Sequence, residues 1–438
     1  MAKHTPIPDS ALNVLLADNA WLRGAALDDW KRRRLPEHYI ERRIAPHADD
    51  HRVSLVVGPR QSGKSTLLWK TLSAGRDGFL VFNCEEPALR EWMRSPALFL
   101  SGVSGLVAPG VSLLFEEVQH LEEAGLFLKG LVDRRSGHPL YATGSSAFDL
   151  DARTRESLAG RALRYVLYPL SLAERSAGIA GPPALRDLER DETVDRAAVY
   201  GGYPGVVSGL DPEVELTRLV EAFVIRDASD RFRIRNTAAF RKILELAATQ
   251  IGNLVNTSEW SAVAGINAET TNDYAAVLED AHILRRVRPF AGGKRAEVTS
   301  TPKLFFVDNG VRNRVFGGFT PLRSRLDAGA LLENLVFTEI IKLIDPVLDT
   351  VHFWRSKSGA EVDFVVVRKG ALTGVEVKAG DSRGKLSRSG RSFIEAYQPQ
   401  RFFVVSRAEH PSVAMRRTEV RFVRFRDLPE LFDANAKR

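Results

Sequence analysis

The fold is decided by the stretch Gly58-Pro59-Arg60-Gln61-Ser62-Gly63-Lys64-Ser65. It has the spacing G-x-x-x-x-G-K-[ST], which is typical of a phosphate-binding loop. Before it, residues 53–57 read Val-Ser-Leu-Val-Val and predict a short buried strand, and residues 66–70 after it predict a helix. A strand-to-helix turn of this kind directs backbone N–H groups and a helix N-terminus toward anions. The stretch therefore predicts a P-loop that binds nucleotide phosphates.

The residue types in the loop match what phosphate binding requires. Gly58 and Gly63 let the backbone close around phosphates, and Lys64 supplies a positive charge for the β- and γ-phosphates. Ser65 is predicted to hold Mg²⁺ through its hydroxyl, so the expected cofactors are ATP and Mg²⁺. The nucleotide is expected to contact the following residues: Gly58, Pro59, Arg60, Gln61, Ser62, Gly63, Lys64, Ser65 and Thr66.

Composition sets the broad class of the protein. The chain has 438 residues, 44% of them hydrophobic, and this length suggests roughly three domains. Its apolar runs are too short to span a bilayer, and its first residues lack the apolar stretch of a signal peptide. The single cysteine, Cys84, excludes an internal disulfide and a cysteine-based zinc cluster. We expect a cytoplasmic protein without a membrane partner, and its net charge of +7 permits nucleic-acid binding.

Acidic and hydroxyl side chains are predicted at one edge of the same sheet. Further strands are predicted at residues 79–83, 112–115 and 139–143. The third strand ends in Glu116 and Glu117, and the fourth leads into Gly144, Ser145 and Ser146. In a P-loop enzyme one acid holds Mg²⁺ through water and another orients the attacking water. We assign the first role to Glu116 and the second to Glu117.

Five motifs together resemble a known family. They are, in chain order, GPRQSGKST, LLFEEVQ, TGSS, LAGRALRYVLYPLSLAE and YGGYP. They look like AAA+ ATPases with an AAA_14-type P-loop domain and a C-terminal DUF4143 domain. The resemblance implies that Lys64 and Ser65 are Walker A residues and that Glu117 is the catalytic Walker B glutamate. It also implies that Ser145 or Ser146 senses the γ-phosphate.

The resemblance further implies a homo-oligomer, such as a hexameric ring. In it, an arginine of one subunit reaches the nucleotide of the neighbouring subunit. We choose Arg161 for this arginine finger, and Arg226 and Arg231 are rivals. One position departs from the family pattern, which usually has Asp before the catalytic glutamate, where this chain has Glu116. Its longer side chain is still expected to reach Mg²⁺ through water.

Residues 239–318 predict a winged helix. A helix from Phe240 ends at Gly252, a short one capped by Ser258 ends at Gly265, and Asn267 or Thr270 starts the next. This is helix-turn-helix spacing, followed by two strands around a basic, glycine-rich hairpin that contains Lys294 and Arg295. The helix that starts at Asn267 or Thr270, which is the second helix of the helix-turn-helix, carries several acids, namely Glu269, Asp273, Glu279 and Asp280. Any DNA contact is therefore expected to be independent of sequence.

The last segment resembles a PD-(D/E)xK nuclease core. Strand periodicity places Glu361 and Asp363 on one face, and Glu376 with Lys378 on one face of the next strand. Carboxylates that hold a metal ion, beside a lysine, suit phosphodiester hydrolysis, so Asp363 and Glu376 are the predicted ligands. The core also has an acid on the preceding helix. We choose Glu333, which is centred in an apolar stripe, and hold Glu339 in reserve.

These parts predict an α/β chain with a P-loop AAA+ parallel sheet, a helical lid, a winged helix and a restriction-endonuclease-like domain. The predicted boundaries are a helical segment at 1–50, the ATPase core at 51–200, the lid at 201–238, the winged helix at 239–318 and the nuclease-like domain at 319–438. The expected function is ATP hydrolysis coupled to DNA transactions. Branched DNA such as a Holliday junction is a candidate substrate, since the last domain resembles the core of archaeal junction resolvases. The alternative is an ATP-dependent regulatory switch that binds a protein partner and has an inactive nuclease fold.

Overall fold

The computed structural model describes residues 6–49, 51–75, 78–144, 152–222, 234–292 and 301–431. The chain divides into two compact units, residues 1–168 and residues 169–438. In the described ranges, no helix is both long enough and apolar enough to cross a membrane.

The first unit is built on a parallel sheet. Its strands are β1 (Val53–Val57), β2 (Phe79–Asn83), β3 (Ser112–Glu116), β4 (Leu140–Gly144) and β5 (Ala162–Val166). They lie in the order β2-β3-β4-β1-β5, and every neighbouring pair is parallel. The predicted α/β fold with a P-loop parallel sheet is thus confirmed. β5 is not among the predicted strands, because Arg164 and Tyr165 interrupt its apolar residues.

Helices cover both faces of this sheet. They are α1 (Asp9–Asp18), α2 (Leu27–Arg34), α3 (Lys64–Ser73), α4 (Pro87–Trp92), α5 (Pro96–Val103), α6 (Ala124–Asp133) and α7 (Ala152–Ser157), with 3-10 turns at Ala20–Arg23 and Val118–His120. Successive strand residues point to opposite faces. Phe82 of β2 therefore packs on Phe99 of α5, with ring centroids 5.1 Å apart, whereas Phe79 packs on Trp30 of α2 at 5.3 Å.

The N-terminal segment is tied to the edge of the sheet by Asn19. Its side-chain amide donates to the Val81 carbonyl at 2.8 Å, and its Oδ1 accepts from the Val81 N–H at 2.7 Å. Asn19 thus satisfies backbone groups of the edge strand β2, which a neighbouring strand would otherwise satisfy. The segment predicted as a separate part at residues 1–50 belongs to the first compact unit.

The second unit begins before the predicted domain boundary at residue 200. Its first helices are α8 (Leu172–Ser176), α9 (Pro183–Tyr200), α10 (Pro204–Ser208) and α11 (Pro212–Ala222). Residues 169–200, assigned to the ATPase core from the sequence, therefore lie in the second unit. The reason is visible at Asn309, whose side chain donates to the Ala198 carbonyl at 3.0 Å and ties the end of α9 to that unit.

In the described residues between 237 and 306, which make up most of the segment predicted as a winged helix, three helices precede a pair of strands. They are α12 (Thr237–Thr249), α13 (Thr257–Ala264), α14 (Ala268–Asp280), β6 (Leu284–Val287) and β7 (Lys303–Phe306), and the two strands pair antiparallel. The cap predicted at Ser258 is instead Asn256, whose Oδ1 accepts from the Glu259 N–H at 3.2 Å. Asn267 caps the next helix through the Thr270 N–H. Lys294 and Arg295 lie outside the described residues.

A six-stranded sheet follows. Its elements are α15 (Asn309–Phe316), a 3-10 turn at Leu322–Ser324, α16 (Ala328–Leu343), β8 (Thr350–Arg355), β9 (Glu361–Arg368), β10 (Ala371–Val377), α17 (Arg388–Tyr397), β11 (Arg401–Ser406), β12 (His410–Met415), β13 (Thr418–Arg424) and a 3-10 turn at Phe425–Glu430. The strand order is β12-β13-β11-β10-β9-β8. Strands β8, β9 and β10 form an antiparallel meander, whereas β11 runs parallel to β10.

The pair of strands β6 and β7 and this sheet share one core. Phe305 of β7 stacks on Phe337 of α16 with ring centroids 4.8 Å apart. Asn334 of α16 is fully buried, accepts from the Phe306 N–H at 2.8 Å and donates to the Phe306 carbonyl at 3.0 Å. Its amide also donates to Asn309 Oδ1 at 2.6 Å. The segments 239–318 and 319–438 therefore form one packed unit.

We predict that Asn334→Ala lowers the free energy of unfolding of the second unit by about 3 kcal/mol, because it leaves buried backbone groups of Phe306 without partners. Urea unfolding followed by circular dichroism measures the change. The matched control is Asn272→Ala on the exposed face of α14, which should stay within about 0.5 kcal/mol of the unchanged protein. Equal unfolding midpoints for the two variants would contradict a structural role for Asn334.

Candidate nucleotide site and acidic cluster

Two glycines of the P-loop are required by its backbone. Gly58 has φ 145°, and a Cβ there would lie 2.3 Å from the Leu167 carbonyl oxygen, so any side chain would clash with β5's continuation. Gly63 has φ 94° and caps the N-terminus of α3, a left-handed conformation that favours glycine. The chain turns between these positions from β1 into α3. The two glycines thus allow the close turn that opens backbone N–H groups toward a phosphate.

Lys64 is the buried cation of this loop. Its side chain extends back over the loop, and its Nζ donates to the carbonyls of Gly58 at 3.2 Å and Pro59 at 3.0 Å. The residue is only 6% exposed. A lysine held at the mouth of the turn supplies a fixed positive charge where the loop's N–H groups converge.

Ser65 and Glu116, the two predicted Mg²⁺ ligands at this site, lie near each other. Glu116 is buried at the end of β3, and the nearby Ser65 side chain favours the ionised form of its carboxylate. Burial raises the pKa of Glu116 to about 7, and the neighbouring charge of Glu117 adds to the increase, whereas Ser65 and Arg34 oppose it. A hydroxyl beside a carboxylate is the oxygen donor set that Mg²⁺ prefers, so the residues present fit this ion.

Glu117 is held in an unusual backbone conformation. Its φ is 52°, in the left-handed region, and its N–H donates to Thr143 Oγ1 of β4 at 3.0 Å. Its side-chain Oε2 accepts from Gln119 Nε2 at 2.5 Å. Thr143 and Gln119 are therefore positioning residues that the sequence did not single out. The predicted sensors Ser145 and Ser146 lie outside the described residues.

Arg42 supports the P-loop from the N-terminal segment. Its guanidinium donates to the Ser62 carbonyl at 2.9 Å and to the Tyr168 carbonyl at 2.5 Å. The planar fork of an arginine suits two acceptors held in fixed directions. Arg42 therefore fixes the loop relative to the chain that follows β5. No sequence motif marks this role, because its two acceptors are backbone carbonyls distant in sequence.

Arg161 lies at the opposite end of the sheet from the P-loop. Its carbonyl accepts from the Val53 N–H at 2.8 Å, where β1 begins, and its Nε donates to Asp133 at 2.6 Å. The P-loop begins where β1 ends, one strand length or about 16 Å away at 3.3 Å per residue. Arg161 therefore cannot serve the nucleotide of its own subunit. The rivals Arg226 and Arg231 lie outside the described residues.

In the second unit, Asp363, Glu376 and Lys378 lie at neighbouring strand ends. Asp363 Oδ2 accepts from the Val377 N–H at 2.7 Å across β9 and β10. Glu376 is 3% exposed, and its Oε1 pairs with the half-exposed Lys378 at 2.6 Å. Glu376 Oε2 has no hydrogen-bond partner in the described structure. Burial, then the charge of Glu376, raises the pKa of Asp363 against the opposing hydrogen bond from Val377.

Glu333 is paired with a lysine that the sequence analysis missed. Lys303 Nζ on β7 lies 3.4 Å from Glu333 Oε1 on α16 and 2.5 Å from Glu361 Oε1 on β9. Glu339, the reserve candidate, is 1% exposed, accepts from the Leu172 N–H at 3.0 Å and pairs with Lys342 at 2.9 Å. Its contacts thus hold α8 against α16. Across the described residues, no three His, Cys, Asp or Glu side chains are arranged to hold a metal ion.

Comparison with known families agrees with the geometry of the first unit. Residues 50–176 match the family model described as AAA domain. This match includes the P-loop and the strands β1 to β5. Residues 191–322 match Domain of unknown function (DUF8612), and residues 328–423 match Domain of unknown function (DUF4143). The predicted resemblance to AAA ATPases with a DUF4143 domain is confirmed, and the PD-(D/E)xK resemblance stays a prediction.

Relatives occur in bacteria and archaea. An uncharacterized protein of Mycobacterium tuberculosis is 27% identical over 364 residues, which cover 82% of this chain and 77% of the relative. Another uncharacterized protein, of Methanocaldococcus jannaschii, is 24% identical over 349 residues, which cover 75% of this chain and 74% of the relative. Among solved structures, a Walker-type ATPase of Pyrococcus abyssi is similar with a TM-score of 0.38 and 15% identity, covering 60% of this chain and 90% of that one.

We predict that Arg42→Ala raises the dissociation constant for ATP about tenfold, because the P-loop loses the hydrogen bond that fixes its Ser62 carbonyl. Titration with a fluorescent ATP analogue measures the change. The dissociation constant of Arg42→Lys should lie between those of the unchanged protein and Arg42→Ala, since one ammonium cannot reproduce the two hydrogen bonds of the guanidinium. The matched control is Arg43→Ala, which removes the exposed neighbouring arginine and should leave the affinity unchanged. Equal affinity for Arg42→Ala and Arg43→Ala would rule out this role.

Proposed function

We propose that the first unit is a Mg²⁺-dependent ATPase. The observation that carries the proposal is the P-loop itself, in which Gly58 and Gly63 allow the close turn and the buried Lys64 is fixed over it, with the buried Glu116 at the end of β3. Ser65 and Glu116 are the residues that would hold Mg²⁺, which would neutralise the charge that develops on the phosphates. Lys64 would bind the same phosphates.

Glu117 is the residue that we propose to orient the attacking water. It directly follows Glu116, and its left-handed backbone departs from the extended conformation of the strand. The hydrogen bonds with Thr143 and Gln119 hold this conformation. Because phosphoryl transfer needs the water in line with the leaving oxygen, positioning of this kind is the main contribution that a protein makes.

We further propose that Arg161 acts on the nucleotide of a neighbouring subunit in a homo-oligomer, such as a hexameric ring. Its place at the amino edge of the sheet supports this, since that edge is distant from its own P-loop and available to a neighbour's site. The pair with Asp133 leaves both side chains more than a third exposed, so the pair contributes little to stability and can open.

For the second unit, we propose DNA as the partner and a metal-dependent nuclease-like site at Asp363, Glu376 and Lys378. The buried Glu376 Oε2 without a partner is the group that calls for a ligand, and Lys378 stands beside it with access to solvent. The net charge of the whole chain, +7, favours binding to phosphates irrespective of base sequence. Branched DNA is the proposed substrate, and ATP hydrolysis is the proposed source of work on it, in the cytoplasm.

A second candidate function is an ATP-dependent switch that controls a protein partner, with an inactive nuclease fold. The pairing of Glu333 and Glu361 with Lys303 favours it, because both carboxylates already have a counter-charge. The two candidates differ in one measurable property, since only the first requires that DNA changes the rate of ATP hydrolysis.

We predict that Glu117→Gln binds ATP tightly but hydrolyses it at least about a hundredfold more slowly, and that Arg161→Ala also binds ATP while losing on the order of 10³-fold in rate. Mixing the two inactive proteins tests the shared site, because one composite site then holds an intact Glu117 and an intact Arg161. Partial recovery of phosphate release is expected. If no activity returns, the finger is another arginine or the site lies within one subunit.

We predict that four-way DNA stimulates ATP hydrolysis and that its binding weakens steeply as salt rises, because arginine and lysine release counterions from phosphates. With Mg²⁺ or Mn²⁺, cleavage of that DNA should be lost in Asp363→Ala without a change in the basal ATPase rate. Binding without cleavage would restrict the second unit to holding DNA. If DNA neither binds nor alters ATP hydrolysis, the switch is the better account.

A further inference from the structure

Lys303 is a buried lysine at a junction of three elements. It comes from β7, and its two carboxylate partners come from α16 and β9. Its side chain is 5% exposed, and its ammonium also lies 5.6 Å from the ring centroid of Phe353 on β8. A lysine this deep requires compensation, since burial of an unpaired ammonium is costly.

The surrounding carboxylates keep this ammonium charged. Burial alone would lower the pKa of Lys303, but the charges of Glu333, Glu361 and Asp363 outweigh it and raise that pKa. The pKa of Glu333 is raised chiefly by burial and then by the charge of Asp363, and Lys303 opposes that rise. Lys303 is therefore a permanent cation inside a group of acids.

The turn at Gly252 lies beside Glu333. Gly252 has φ 74°, and a Cβ there would lie 3.3 Å from Glu333 Oε2. The turn is held in place by the Gly252 N–H, which donates to the Leu304 carbonyl at 2.7 Å, one residue after Lys303. Glu333 thus lies between the turn on one side and the ammonium on the other.

We propose that the Lys303 ammonium is the counter-ion of the acidic cluster formed by Glu333, Glu361 and Asp363, and that it excludes a divalent metal ion from Glu333. Glu333, predicted from the sequence as a catalytic acid, then contributes a fixed ion pair instead. A metal ion in the nuclease-like site is confined to Asp363 and Glu376. This inference rests on the nuclease-like site proposed above only for the identity of those two ligands.

The test is Mn²⁺ binding to the purified protein without nucleotide, followed by the electron paramagnetic resonance signal of free Mn²⁺. In the otherwise unchanged protein, Glu333→Gln should leave the Mn²⁺ affinity within about twofold, because Glu333 does not contact the ion. In Lys303→Met, the affinity should rise by at least about tenfold, since a cluster of acids has lost its internal counter-charge. Adding Glu333→Gln to Lys303→Met should remove that gain.

The matched control is Lys342→Met, which removes another buried lysine paired with a glutamate, but with only one carboxylate at its Nζ. It should not gain Mn²⁺ affinity. Lys303→Arg, which keeps the charge, should not gain it either. Circular dichroism and the ATPase rate establish that each variant is folded.

Two results would overturn the proposal. One is a folded Lys303→Met protein whose Mn²⁺ affinity is unchanged. The other is a fall of tenfold or more in Mn²⁺ affinity on Glu333→Gln alone, which would identify Glu333 as a ligand. This second measurement tests the proposal even if Lys303→Met does not fold. Failure of the nuclease proposal is seen separately, as absence of Asp363-dependent DNA cleavage.

Discussion

The nucleotide site depends on the pairing of β1 with two parallel neighbours. The Leu167 N–H after β5 donates to the Val57 carbonyl at 2.8 Å, and the Leu167 carbonyl lies so close to Gly58 that only glycine fits. On its other side β1 pairs with β4, which supplies Thr143 to the backbone of Glu117. Because parallel strands end at the same edge, one set of hydrogen bonds fixes the phosphate loop and the acids together.

The second unit depends on buried polar groups that link its parts. Asn334 and Asn309 join α16, β7 and α9, and Lys303 joins β7 to α16 and β9. Each of these groups is satisfied only when all its elements are in place, since an unsatisfied buried polar group is costly. This explains why the segment from α12 to β7 and the six-stranded sheet form one unit. It also means that the acids near Lys303 support the fold as well as any chemistry.

The sequence predicted what is determined by local spacing. β1 has the predicted bounds, and β3 ends at the same edge of the parallel sheet in the predicted acid Glu116. Arg42 and Lys303 were missed because their partners are far away in sequence and neither belongs to a motif. The helix before residue 200 belongs to the compact unit that starts at residue 169, and its partners, such as Asn309, are too distant in sequence for local spacing to show this.

We propose that the P-loop of the first unit binds and hydrolyses Mg²⁺-ATP through Lys64. The most direct measurement is ATP affinity and phosphate release by the purified protein, compared between Lys64→Ala and Lys70→Ala. Both changes remove a lysine from α3, but Lys70 lies at the far end of that helix from the loop. We expect that Lys64→Ala loses ATP binding and hydrolysis, whereas Lys70→Ala keeps both. Unchanged ATP affinity in Lys64→Ala would contradict it.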